Sequence, residues 1–221
     1  MDKQQFGKFS ILKKMTQEQI EKWSKELLIL LKETIKNEAV YIEEYVSHLS
    51  KLNPDINNEN LAKKIISRRS LKSGAIGAIC GLGGIITIPI TMPADIYYTF
   101  KIQARMVLSL AFIYGWKIDD DETITDILLV MGGNAGINAL KNAGIKIGEE
   151  FAKKGVNKYI TREVMKKINK IISRKIITKA GEKSLTSLTK LIPLVGAPIG
   201  AAFDYFGTRS IGKTALIFYS G

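Results

Sequence analysis

The reading of residues 73–115 decides the fold: SGAIGAICGLGGIITIPITMPA (73–94) followed by DIYYTFKIQARMVLSLAFIYG (95–115). The first 22 of these residues carry no charge. As one helix they would run roughly 33 Å, about the thickness of a bilayer core. Pro89 and Pro93 argue against a single helix, because each removes a backbone donor and clashes with the preceding turn. The expected arrangement is a glycine-rich helix to about Thr87, a proline elbow, and a second helix from near Pro93. Gly74, Gly77, Gly81 and Gly84 recur at three- and four-residue spacing and line one face, where another backbone could approach closely. That spacing serves a membrane contact and a tightly packed soluble core equally well.

Outward toward the N-terminus, Thr16 and Gln19 have the spacing of a capping box, with Met15 and Ile20 as its hydrophobic staple. Ile20, Trp23, Leu27, Leu30, Leu31 and Ile35, then Ile42, Tyr45, Val46 and Leu49, keep helical spacing to about Lys51. Asn53-Pro54 ends that helix. A basic helix from about Asn58 to Lys72 leads into the glycines. Outward toward the C-terminus, Asp119 to Glu122 suit a helix N-terminus. The helix they open is expected to reach about Phe151, with Asn134, Asn138 and Asn142 as an amide stripe. A basic amphipathic helix follows from about Thr161 to Lys179, with Ile160, Val164, Ile168, Ile171, Ile172 and Ile176 on its apolar side. The chain closes on a second Gly/Pro-rich apolar segment, an elbow over 191–204, leading into a helix. No β-alternation is long enough for a sheet. The fold class is therefore all-α, a helical bundle with two Gly/Pro-rich elbow-helix segments. An N-terminal amphipathic arm (1–57) precedes the main domain (58–221).

Composition narrows the function classes. Of 221 residues, 46% are hydrophobic and the formal net charge is +12. The positive charge sits in two blocks. Lys63, Lys64, Arg68, Arg69 and Lys72 form one, and residues 151–190, with 12 basic against 2 acidic side chains, form the other. Within the second, Lys166, Lys167, Lys170, Arg174 and Lys175 are the candidate contacts. Such blocks favour anionic partners. The second lacks interleaved aromatics apart from Phe151 and Tyr159, and no nucleic-acid motif accompanies it, so a membrane surface fits better than nucleic acid. Cys80 is the only cysteine, which excludes an intrachain disulfide and suggests a reducing compartment. With His48 the only histidine, no His/Cys zinc site is available. The N-terminus has no apolar h-region, so no secretory signal is expected.

GTRSIGKT (207–214) satisfies the Walker A pattern. A P-loop needs a preceding strand and a surrounding sheet, and nothing upstream supplies either. The expected reading is Gly212 inside a C-terminal helix, with no nucleotide site. No serine sits in a nucleophile elbow, and no catalytic, cofactor or metal residues are assigned. The polar candidates are Asp95, Thr99, Gln103 and Arg105, with Asp204, Thr208 and Arg209. Pro89-Ile90, Asp95, Tyr97 and Thr99 have the same spacing as Pro198-Ile199, Asp204, Phe206 and Thr208, an internal echo. If the two units pack together, Arg105 and Arg209 are the nearest cations to cross-pair with the two aspartates. Charges on apolar helices are costly unless paired.

Two blocks resemble the EcsC family. One is GLGGIITIPITMPADIYYTFKIQARMVLSLAFIYGWKIDDDE (81–122), with Pro93-Ala94-Asp95, Arg105 and Tyr114-Gly115 before an acidic run. The other is LIPLVGAPIGAAFDYFGTRSIGKTALIFY (191–219), with Ile192-Pro193, Gly196, Gly200, Arg209, Gly212 and Ala215. Asp204 departs from the family, which often shows Asn there. The family's name comes from a protein encoded beside an ABC transporter. The resemblance thus implies a bacterial, intracellular, membrane-associated accessory protein and brings no catalytic residues. The expected function is non-catalytic binding to an anionic lipid surface or a membrane protein complex at the cytoplasmic face, without a cofactor. A hydrolase using Asp95 and Asp204 is the second reading, and a soluble protein–protein adaptor the third.

Overall fold

The computed structural model describes residues 15–81, 92–118, 120–133, 136, 138, 161–188 and 193–220. Among them the regular elements are helices: α1 (Gln17–Lys51), α2 (Asn58–Gly81), α3 (Ala94–Ile113), α4 (Asp120–Gly132), α5 (Arg162–Leu188) and α6 (Pro193–Ser220). The protein is an all-α bundle.

Local chemistry sets most helix ends. Thr16 Oγ1 accepts from Gln19 N at 3.1 Å and Gln19 Oε1 accepts from Thr16 N at 3.0 Å, the reciprocal capping box. α1 ends at Lys51, where Asn53 Nδ2 donates to the Leu49 carbonyl. Asn57 Oδ1 accepts from Asn60 N and opens α2. Pro93 is the N-cap of α3, as the elbow reading expects. Gly115, at φ 73°, ends α3 in a Schellman arrangement: its N–H donates to Phe112, and that of Trp116 to Ala111.

Helix α3 is the centre. Apart from half-buried Arg105, every residue from Ile102 to Ala111 is buried. α1, α2, α4 and α6 all pack against it, and α5 packs on α1 and α4. The α1 stripe (Leu27, Leu30, Leu31, Ile35, Ile42, Val46, Leu49) belongs to the same core as Ile65 of α2, Met106 of α3, Leu128 of α4 and Ile172 of α5. α2 and α6 run antiparallel in the most extensive contact of the fold. Gly77 lies against Gly200, Gly74 against Ala201 and Tyr205, and Gly212 against Ile66. The glycine face thus receives a helix of the same chain.

Three expectations are corrected. The helix opening near Asp119 does not run to Phe151; α4 stops at Gly132, and Gly133 turns the chain at φ 50°. Of the amide stripe, Asn134 and Asn142 lie outside the described residues, and Asn138 is exposed. No elbow occurs at Pro198, which sits exposed inside α6, in an early turn where a proline costs a single backbone bond. Ile171 faces outward, 44% exposed, because α5 turns Ile168, Ile172 and Ile177 inward instead. The stretch 82–91, including Gly84 and Pro89, lies outside the described residues.

Candidate functional site

Among the described residues, a charged junction forms where α1, α2 and α3 meet. Glu38 of α1 accepts a hydrogen bond from Arg105 Nε and an ion pair from Lys101 Nζ at 3.1 Å. Burial pushes the Glu38 carboxyl up, but Arg105 and Lys101 together outweigh it and hold the pKa below the usual value. The same bond raises the Arg105 pKa against the effect of burial. Beside this pair lies Arg69 of α2, only 6% exposed, its guanidinium 4.7 Å from the centre of the Tyr45 ring. Its Nε and Nη2 are buried without a hydrogen-bond partner. Burial lowers its pKa, with Arg105 adding to the effect and Tyr45, Tyr41 and Glu38 opposing it.

A second polar group lies in the seam between α2, α3 and α6. Gln103 Nε2 donates to Thr208 Oγ1 at 3.2 Å, and Thr208 Oγ1 donates to Ser73 Oγ at 2.9 Å. The seam also buries Thr99 Oγ1, Ser70 Oγ and Gln103 Oε1 without partners. The helices that carry the two echo units, α3 and α6, therefore pack together, through Gln103 and Thr208. The expected cross-pairing of Arg105 does not form, because Glu38 is presented to it by α1. Arg209 donates to Tyr205 Oη at 2.9 Å, one turn back on its own helix. Asp95 is half-buried in the first turn of α3. Asp204 is half-buried, with its carboxylate against the Gly77 backbone.

The cationic candidates divide. Lys63, Arg68, Lys72, Lys166, Lys167, Lys170 and Lys175 are exposed, and Lys64 is half-buried on Asn53 Oδ1 at 2.6 Å. Lys63 pairs with Glu59, one turn away. Arg174 bonds Glu21 of α1 at 2.9 Å, with Lys170 at 3.9 Å from the same carboxylate. Arg69 is corrected: it is a core cation and not a surface contact, because α2 turns it inward with Ile65, Ile66 and Ser73.

At the end of the α2–α6 pair, Leu71, Gly74, Ala75 and Ala78 face Ala201, Ala202 and Tyr205 across a shallow apolar groove of about 340 Å³. Leu71, Ile79, Phe203 and Phe206 are 62%, 54%, 54% and 65% exposed. Residues 207–214, the Walker A match, are continuous helix, and Gly212 packs against Ile66 and Met106. Among the described residues, no helix is long and apolar enough to cross a membrane, and no cluster of metal-ligating side chains occurs.

Local sequence gave no signal for Glu38, Tyr45 or Ser73, whose partners lie far along the chain. Asp126 does carry a sequence signal, as a lone acid within the apolar run ITDILLV (124–130). It is 7% exposed, its Oδ1 is unmatched, and burial with Glu122 nearby raises its pKa to about 8.

This is an all-helical bundle with a basic junction, a polar seam and an exposed apolar end. The profile of the EcsC protein family matches residues 9–220, and the chain belongs to that family. No curated protein and no solved structure shows significant similarity to it.

Proposed function

We propose that this EcsC-family protein is a non-catalytic accessory protein that sits on the cytoplasmic face of a bacterial membrane and binds anionic lipid. The observation that carries the reading is the antiparallel pairing of α2 with α6. Residues 73–94 and 191–203 are both free of charge, and Gly77 lies against Gly200 where their described parts, the end of α2 and the start of α6, meet. Five large apolar side chains, Leu71, Ile79, Phe203, Phe206 and Ile217, are exposed on this pair, and Leu71 lines a groove formed mostly by small residues. Such a patch, rimmed by charge, is a feature of interaction surfaces. The exposed Arg68 and Lys72 lie on α2 about three and two turns before Ile79. That order, apolar tip then cations, suits insertion to headgroup depth beneath anionic phosphates.

The test is co-sedimentation with vesicles of phosphatidylcholine alone or mixed with phosphatidylglycerol, at ~0.05 M and ~0.5 M salt. Binding is expected only with phosphatidylglycerol and is weakened by salt. Phe203→Ser combined with Phe206→Ser is expected to lower it at least tenfold, with the melting temperature kept because both side chains are exposed. Undiminished binding by this variant removes the apolar end as the lipid contact, and no binding to either vesicle removes the reading and points to a membrane protein complex as the partner.

A further inference from the structure

We propose that Arg69, with Arg105 and Lys101, forms a site for a phosphate-class oxyanion at the junction of α1, α2 and α3. Arg69 is 6% exposed, and its Nε and Nη2 have no hydrogen-bond partner. A guanidinium keeps its charge in proteins, so Arg69 cannot relieve its burial by losing a proton. The Tyr45 ring, 4.7 Å from the guanidinium carbon, covers one face of the fork. A ring face does not accept the in-plane N–H donors.

Glu38 does not accept from these two nitrogens, since its carboxylate is already engaged by Arg105 and Lys101. Arg69, Arg105 and Lys101 against Glu38 leave an excess of two positive charges. A phosphate dianion matches that excess, and the Arg fork matches the spacing of its oxygens. The approach is from the side of α3, where the Lys101 and Arg105 side chains keep 29% and 23% exposure. Tyr41, 54% exposed, lies within electrostatic reach of both arginines. The two Arg69 nitrogens are closed to water here, so occupancy requires the Tyr45 ring or the Glu38 carboxylate to shift. Both are side chains of α1.

The site stands apart from the apolar end and does not rest on the membrane reading. The test uses the full chain and thermal melts in 10 mM-scale phosphate against chloride at equal ionic strength. Phosphate is expected to raise the melting temperature by about 3 °C. The shift is expected to vanish in Arg69→Met, which keeps the stem and removes the fork. Arg69→Lys, which keeps the charge, is expected to weaken apparent phosphate affinity at least tenfold and serves if Arg69→Met fails to fold. If free phosphate has no effect, vesicles containing phosphatidic acid decide the source. Binding at least tenfold tighter by the parent than by Arg69→Lys assigns the oxyanion to a lipid headgroup. Equal phosphate responses in parent and variants overturn the proposal, as does the absence of any Arg69 dependence in both arms.

Discussion

A methyl group placed on Gly77 would lie 2.7 Å from the carbonyl oxygen of Gly200, and one placed on Gly200 would lie 2.8 Å from the carbonyl oxygen of Gly77. The two backbones meet with no room for a side chain, and what they clamp together is the α2–α6 pair.

Gly77→Val is therefore expected to cost about 1–3 kcal/mol, because the obstacle is backbone and cannot rotate away. Gly207, in the interior of α6, has nothing within 4 Å of its own added methyl. Gly207→Ala should stabilise by about 0.5–1 kcal/mol through helix propensity. Urea unfolding of both variants beside the parent checks the pair. Equal effects would show that helix propensity and not close approach governs these glycines.

The two threonines of the internal echo should behave in opposite ways. Thr208 Oγ1 bonds both Ser73 and Gln103, whereas Thr99 Oγ1 is buried without a partner. Thr208→Val strands two buried polar groups and should cost about 1–3 kcal/mol. Thr99→Val removes an unmatched hydroxyl and should be neutral or stabilising. Denaturant midpoints of the two variants decide it, and a larger loss for Thr99→Val would contradict the hydrogen-bond assignment.

Glu38→Gln should lower stability at neutral pH by about 1–3 kcal/mol, between the values for exposed and buried pairs. The Glu38 pKa is lowered in the fold. Its contribution is therefore complete above the unfolded-state value and is lost as pH falls through the lower folded-state value. Acid titration of the parent should show that loss below about pH 4.3, the unfolded carboxylate range. The Gln variant should lack this component, and parallel acid limbs would remove Glu38 as its source.

Asp126 should act with the opposite sign. Its folded-state pKa is raised to about 8, so between the unfolded value and about 8 the native state holds a proton that the unfolded chain has released. Stability from this group is complete at low pH, falls as pH rises toward about 8, and levels off above it. Asp126→Asn mimics the protonated form and should flatten that fall, making the variant about 1–3 kcal/mol more stable than the parent at pH 8. Melts across pH 5–9 in steps of about one unit, each worth up to about 1.4 kcal/mol, measure it. A parent already flat across that range argues that Asp126 is ionised in the fold.

The helix ends were legible because the chemistry that makes them is short in range. Thr16 and Gln19 are three residues apart, Pro93 adjoins the helix it caps, and Gly115 closes α3 through carbonyls within five residues. Nothing local marks Gly133 as a stop, since the small and apolar residues around it and the four-residue spacing of Asn134 and Asn138 continue a helical pattern. Pro198 failed the other way, because its effect depends on which turn of the helix it occupies.

By itself the sequence determined the helical class, the family, the capping of α1, the break before α3 and the charge-free character of 73–94 and 191–203. All of these follow from neighbours along the chain or from composition. Only the tertiary structure decided that Arg105 meets Glu38, 67 positions away, and not an aspartate of the echo. It likewise decided that Arg69 leaves the surface block to which its sequence neighbours belong, while Arg68 and Lys72 stay outside. The physical reason is that an ion pair or an orphaned donor is a property of which helix faces meet. A basic run on α2 wraps around the whole helix, and only the seating of α1 and α3 against it selects the cation that is buried.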